Sequence, residues 1–154
     1  MKGERKRISY YYLFCTFQQA TMLHDLGCFQ DLPVVYCQNI YNYDWGLVPN
    51  GSKKIKNYSY SIKYAAYSLA DLRIMLEGEW KYKGRPVTVR YKKNINRYCV
   101  CDFKTNAIVF KGRTEAEATA WLLIAKLKTQ RMSLEKCNER LQREVKKFTI
   151  KMIA

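Results

Sequence analysis

Residues 80–101 read WKYKGRPVTVRYKKNINRYCVC. Seven of these residues are basic (Lys81, Lys83, Arg85, Arg90, Lys92, Lys93 and Arg97) and none is acidic. Val87, Val89 and Tyr91 recur at every second position, the spacing that places side chains on one face of a strand, so Thr88, Arg90 and Lys92 face the other way. The turn residues Asn94 and Asn96 separate this strand from a second expected over 97–104. Thr105 and Asn106 separate that one from a third over 107–111. On the second strand Cys99, Cys101 and Phe103 are expected inside, leaving Tyr98, Val100, Asp102 and Lys104 outside. Three short strands joined by turns make an antiparallel meander, and this decides the class of the fold.

The flanking sequence supplies helices. Thr16 with Gln19 fits a capping box, followed by an inner stripe of Phe17, Ala20 and Leu23 and by Gly27 as a left-handed stop. Ser68 with Asp71 opens a second helix that ends at Gly78, and Thr114 with Glu117 caps a third. Ser133 opens a fourth with a narrow stripe of Leu134, Cys137, Leu141, Val145, Phe148 and Met152. Residues 8–14 and 33–41 read as strands, and 44–52, with Gly46, Pro49, Asn50 and Gly51, as a turn region. Residues 55–64 alternate with one tyrosine-rich face: Tyr58, Tyr60 and Tyr64. Strands grouped between helices predict an α+β fold: an antiparallel meander sheet packed with three helices plus a C-terminal amphipathic helix. The predicted layout is a flexible basic arm over 1–7, a single α+β domain over 8–130 and a basic amphipathic helix over 131–154.

Composition narrows the partner. The 154 residues carry 28 Lys and Arg against 13 Asp and Glu, a formal charge of +15, and 13 tyrosines. A surface tuned only for solubility mixes both signs, whereas an excess of this size suits a polyanion. The expected interface is Lys81, Lys83, Arg85, Arg90, Lys92, Lys93, Arg97, Lys104 and Lys111, with Tyr98 beside Arg90 and Lys92 to stack on an unpaired base. A secondary basic patch is expected from Lys53, Lys54, Lys56 and Lys63, interleaved with Tyr58 and Tyr60. The narrow stripe of the last helix would also suit a homodimer.

Catalytic signals are sparse. Cys99-x-Cys101 lacks the paired Cys-x-x-Cys knuckles of structural zinc, so no metal is expected. His24 is the only histidine, and a couple with Cys28 is interrupted by Gly27. No spacing recommends a carboxylate pair, and no glycine-rich phosphate loop occurs. A non-enzymatic protein without cofactors is therefore expected. No signal-peptide pattern or apolar run of spanning length is visible, so a cytoplasmic protein without membrane contact is expected, with its six cysteines reduced.

The phrase TFQQATMLHDLGCFQDLPVVYC (16–37) resembles the opening of small uncharacterised phage and prophage proteins of gut bacteria. Those begin Thr-x-x-Gln-Ala-x-x-Leu-x-x-Leu-Gly-Phe. Thr16, Gln19, Ala20, Leu23, Leu26 and Gly27 fit, and Cys28 stands in place of the Phe. FKGRTEAEATAWLLIAKLK is similar to their Glu-Ala-rich closing helix. The resemblance implies a mobile-element context and brings no site residues. Two readings follow: a protein that binds RNA, DNA or a nucleoprotein complex, or an anti-CRISPR type inhibitor that binds the guide RNA or the effector of an RNA-guided nuclease.

Overall fold

The computed structural model describes residues 11–153, with side chains through residue 147. The arm expected over 1–7 and the first part of the strand expected over 8–14 lie outside the described residues. The order is α1 (Phe17–Asp25), β1 (Val34–Asn39), β2 (Trp45–Pro49), β3 (Tyr58–Ala65), α2 (Leu69–Met75), β4 (Lys81–Tyr82), β5 (Arg85–Lys92), β6 (Arg97–Asp102), β7 (Ile108–Gly112), α3 (Glu115–Lys128) and α4 (Leu134–Ile153). The fold is α+β, with two antiparallel sheets ordered β2-β1-β3 and β4-β5-β6-β7.

Local chemistry sets the helix starts. Thr16 Oγ1 accepts from the Gln19 N–H (3.2 Å) while Gln19 Oε1 accepts from the Thr16 N–H (3.0 Å), and Ser68 with Asp71 repeats the arrangement. Thr114 Oγ1 caps α3 by accepting from the Glu117 N–H. Here the reciprocal bond is missing, because the Glu117 carboxylate takes the Arg113 N–H instead. The buried Gln19 does more than cap: its Nε2 donates to the Glu117 carbonyl oxygen (2.8 Å) and joins the first turns of α1 and α3.

The region expected as a turn over 44–52 contains β2. Its glycine serves packing rather than bending: a Cβ on Gly46 would lie 2.8 Å from Tyr58 Oη. Pro49 is the last residue of an edge strand, where a missing N–H is tolerated. The tyrosine face expected on β3 is split by a register shift. Cys37 pairs with Lys63 and the next residue, Gln38, pairs with Ser59. Tyr64 therefore turns toward α1, where Phe17 stacks on Trp45 at 4.6 Å and meets Tyr64 edge-on at 5.8 Å. Tyr58 and Tyr60 cover Val35, Cys37 and Val48 on the opposite face.

β4 is a further strand that the sequence pattern did not announce. Lys83 (φ +50°) and Gly84 (φ +78°) turn it into β5 with both central residues left-handed, the signature of a type I′ hairpin. Because β4 has only two residues, residues 88–92 of β5 have no strand neighbour on that side among the described residues. The sheet curls enough that Tyr82 and Phe110, from its two edge strands, meet at 5.2 Å. Helix α3 packs on its inner face. The first turn of α3 comes so close that a Cβ on Gly112 would lie 2.6 Å from the Ala118 nitrogen. Helix α4 packs on α2, burying Cys137 and Leu141 in the main core. The first half of its apolar stripe is thus spent inside the protein, while Phe148 and Met152 lie beyond the described side chains. Among the described residues no helix is long and apolar enough to cross a membrane.

One buried charge ties these layers. Lys126 of α3 is 2% exposed. Its Nζ donates to the Glu79 carbonyl oxygen, to Glu79 Oε2 (3.2 Å) and to the Lys81 carbonyl oxygen (2.9 Å). The three acceptors fill its donor capacity, which makes a buried ammonium tolerable. Lys126→Met keeps the stem and removes the charge, stranding these acceptors. It is expected to lower stability by about 2–4 kcal/mol in urea unfolding; an unchanged midpoint would refute this role.

Candidate nucleic-acid interface

Residues paired directly across an antiparallel sheet share a face. Lys81 pairs with Pro86; Thr88 with Cys101, and Cys101 with Ile108; Arg90 with Cys99, and Cys99 with Lys111; Lys92 with Arg97. Lys81, Arg90, Lys92, Arg97 and Lys111 therefore share the outer face of the four-stranded sheet. Val87, Val89 and Tyr91 share the inner face with Asp102, Val100 and Tyr98.

This corrects the expected facing of the second strand. The four-residue loop 93–96 pairs Lys92 with Arg97, so even positions of β5 share a face with odd positions of β6. Val100 and Tyr98 belong to the α3 side, and Cys99 and Cys101 to the cationic side. Both cysteines are nonetheless fully buried, outside both apolar clusters. They form a floor of short side chains between Arg90 and Lys92 on one flank and Lys111 on the other. Tyr98 is not beside Arg90 and Lys92: on the opposite face of the sheet it meets its cross-strand neighbour Tyr91 at 5.1 Å, the rings tilted by 56°. The aromatic that accompanies the cations is Phe103, 60% exposed, with the Arg90 guanidinium 5.8 Å from its ring centre. Phe103 was expected inside because it continues the period of Cys99 and Cys101. It lies just past the end of β6, where that period no longer applies.

The cations are held by neutral groups. Arg90 Nη1 donates to Asn106 Oδ1 (2.7 Å) and Nη2 to the Phe103 carbonyl oxygen (3.4 Å), while Lys92 Nζ donates to the Asn106 carbonyl oxygen (2.9 Å). Arg97 Nη1 donates to the Asn96 carbonyl oxygen. Among the described residues none of the five outer-face cations makes an ion pair. Arg90, Lys92 and Arg97 are oriented without being neutralised. Asn106, itself at φ +62°, is the residue that orients Arg90 and Lys92, and in the sequence it reads only as a turn.

The other expected residues are distributed differently. Arg85 is paired with Asp102 (Nε to Oδ2 3.1 Å), which offsets its charge although the side chain stays exposed. Lys83, above the Tyr82 ring, and Lys104 stand in connections at one end of the sheet, and Lys93 in the loop at the other. The secondary patch belongs to the other sheet. Lys53, Lys54 and Lys56 are exposed in the connection before β3, and Lys63 Nζ donates to Asn50 Oδ1 (2.8 Å).

Nothing in the described residues assembles a reactive centre from the histidine and the thiols. His24 contacts Asp25 and the Tyr64 ring, whereas Cys28 is buried in the main core. Burial pushes the thiols of Cys15 and Cys28 up to about 12 and that of Cys137 to about 11. Among the described residues no three His, Cys, Asp or Glu side chains are grouped to hold a metal ion.

Two measurements check this electrostatic picture. All six cysteines are buried thiols, so labelling by a thiol reagent at pH 7.5 should be slow in the native protein and complete only in denaturant. A rapidly labelled cysteine would contradict it. Asp102 Oδ1 accepts from the Thr105 and Lys104 N–H groups, and with Arg85 nearby this holds the carboxyl below its usual range. A depressed folded value gives stability that is fully present above about pH 4 and is lost as pH falls through that folded value. The stability gap between wild type and Asp102→Asn should therefore be level from pH 8 to 5 and shrink in acid. A gap independent of pH would overturn the assignment.

No protein-family model, no curated protein and no solved structure matches this chain.

Proposed function

We propose that this protein binds nucleic acid, without catalysis, through the outer face of its four-stranded sheet. One observation carries the reading: strand register gathers Lys81, Arg90, Lys92, Arg97 and Lys111 on one face with no carboxylate among them. Neighbouring strands lie about 4.8 Å apart and alternate residues about 6.7 Å apart along a strand. Charges on that grid suit a run of phosphates better than a single small anion. Neutral acceptors fix Arg90 and Lys92 in place, so less side-chain freedom is lost when an anion arrives. Phe103 adds an exposed ring beside Arg90 on which a base can stack.

Phosphate contacts carry no sequence information, so the affinity should depend steeply on salt and weakly on base sequence. Anisotropy with labelled oligonucleotides between 50 and 200 mM salt tests this. Arg97→Glu with Lys111→Glu leaves the Arg90–Asn106 anchor intact, and should weaken binding at least about tenfold and lower the salt slope by about 2. Binding that ignores salt, or a double variant that binds like wild type, would sink the proposal. A pull-down from lysate with and without nuclease distinguishes a direct nucleic-acid partner from a protein one.

A further inference from the structure

The connection between β1 and β2 projects three large apolar side chains into solvent: Ile40 at 51% exposure, Tyr41 at 73% and Tyr43 at 70%. This tip is built to be stiff. Asn39 Oδ1 accepts from the Tyr41 and Asn42 N–H groups, and Asn42 Oδ1 from the Asp44 N–H. The Asn39 N–H donates to the Asp44 carbonyl oxygen, the Tyr43 N–H to the Asn39 carbonyl oxygen, and Gln38 Nε2 to the Tyr43 carbonyl oxygen.

Tyr43 also adopts φ +63°. That region suits Gly or Asn, and a bulky residue there is strained. Packing does not compensate, because the ring is in water. A tyrosine at a position where glycine would be more stable points to a use for the exposed ring.

The surroundings indicate which use. The Ile40 N–H donates to the Asn57 carbonyl oxygen (2.9 Å), lacing the tip to the loop that carries Lys53, Lys54 and Lys56, all exposed. Asp44 is the only carboxylate between residues 39 and 57. Lys56 directly precedes Asn57 at the tip, while Lys54 lies over the Tyr60 ring, whose hydroxyl donates to the Pro49 carbonyl oxygen at the far end of β2. The cations thus lead away from the rigid rings along the loop, an arrangement that matches an unpaired nucleic-acid strand: the rings stack on bases and the lysines hold the phosphates that follow. Duplex DNA keeps its bases stacked away from such a tip.

We infer that the Tyr41–Tyr43 tip, with Lys53, Lys54 and Lys56, is a second contact site that selects single-stranded nucleic acid. It rests on the nucleic-acid reading above and adds strandedness to it. The test compares labelled single-stranded and duplex oligonucleotides of the same sequence on wild type, Tyr41→Ala and Tyr43→Gly.

Wild type should prefer the single strand. Each variant should weaken single-strand binding about fivefold to tenfold while leaving duplex binding unchanged. Tyr43→Gly should also melt no lower than wild type, because glycine relieves the left-handed backbone. That combination separates a binding role from a structural one. Variants that bind the single strand like wild type, or equal wild-type affinity for both forms, overturn the tip proposal and leave the sheet proposal standing. Absence of wild-type binding to either form overturns both.

Discussion

The Lys126 ammonium fixes where the basic sheet sits. It reaches out of α3 and takes the carbonyl oxygens of Glu79 and Lys81, the residues from which β4 departs. Everything downstream inherits that placement: the type I′ turn at Lys83 and Gly84, the direction of β5, and through its pairing the register of β6 and β7. On the inner side the same helix packs against Val87 and Val100, while Gly112 admits its first turn. A charge buried this deeply costs several kcal/mol unless its donors are filled. Here the donors are filled by two main-chain carbonyl oxygens and the Glu79 carboxylate, all at the start of β4.

Much of the fold was legible because it is written in side chains that act locally. Thr16 with Gln19 and Ser68 with Asp71 announce helix starts, and the alternation of Val87, Val89 and Tyr91 announces a strand. The misreadings have a common cause, which is that a face belongs to a pair of strands rather than to one. Nothing within residues 97–102 indicates whether Tyr98 or Cys99 faces the helix; the four-residue loop before them decides it. The same holds for the three extra residues in β3 that divide its tyrosines between two faces. β2 was hidden for a different reason. Gly46 and Pro49 are turn residues by composition, yet one makes room for Tyr58 and the other closes an edge strand.

The candidate interface was legible in its charges and not in its geometry. Arg90, Lys92 and Lys111 share a face as anticipated; Arg97 joins them only through the register that overturns the expected facing of its strand, Lys104 lies in a connection, Arg85 is paired with Asp102, and the exposed ring beside Arg90 is Phe103 rather than Tyr98. The role of Asn106 was invisible in sequence. It emerges only when the loop after β6 folds back over β5, bringing an amide and a carbonyl within reach of two cations 14 and 16 residues away.

The short length of β4 gives these cations another consequence. Residues 88–92 of β5 leave one edge without a strand partner, and a bare edge is a template on which a second copy of the chain can pair. Arg90 and Lys92 stand on the outer face of the strand that forms that edge, so a second chain aligned on it would bring like charges near one another. Repulsion between those charges opposes such pairing. A polyanion lying across them would remove the repulsion, so loading of the surface and the tendency of copies to associate edge to edge are physically coupled.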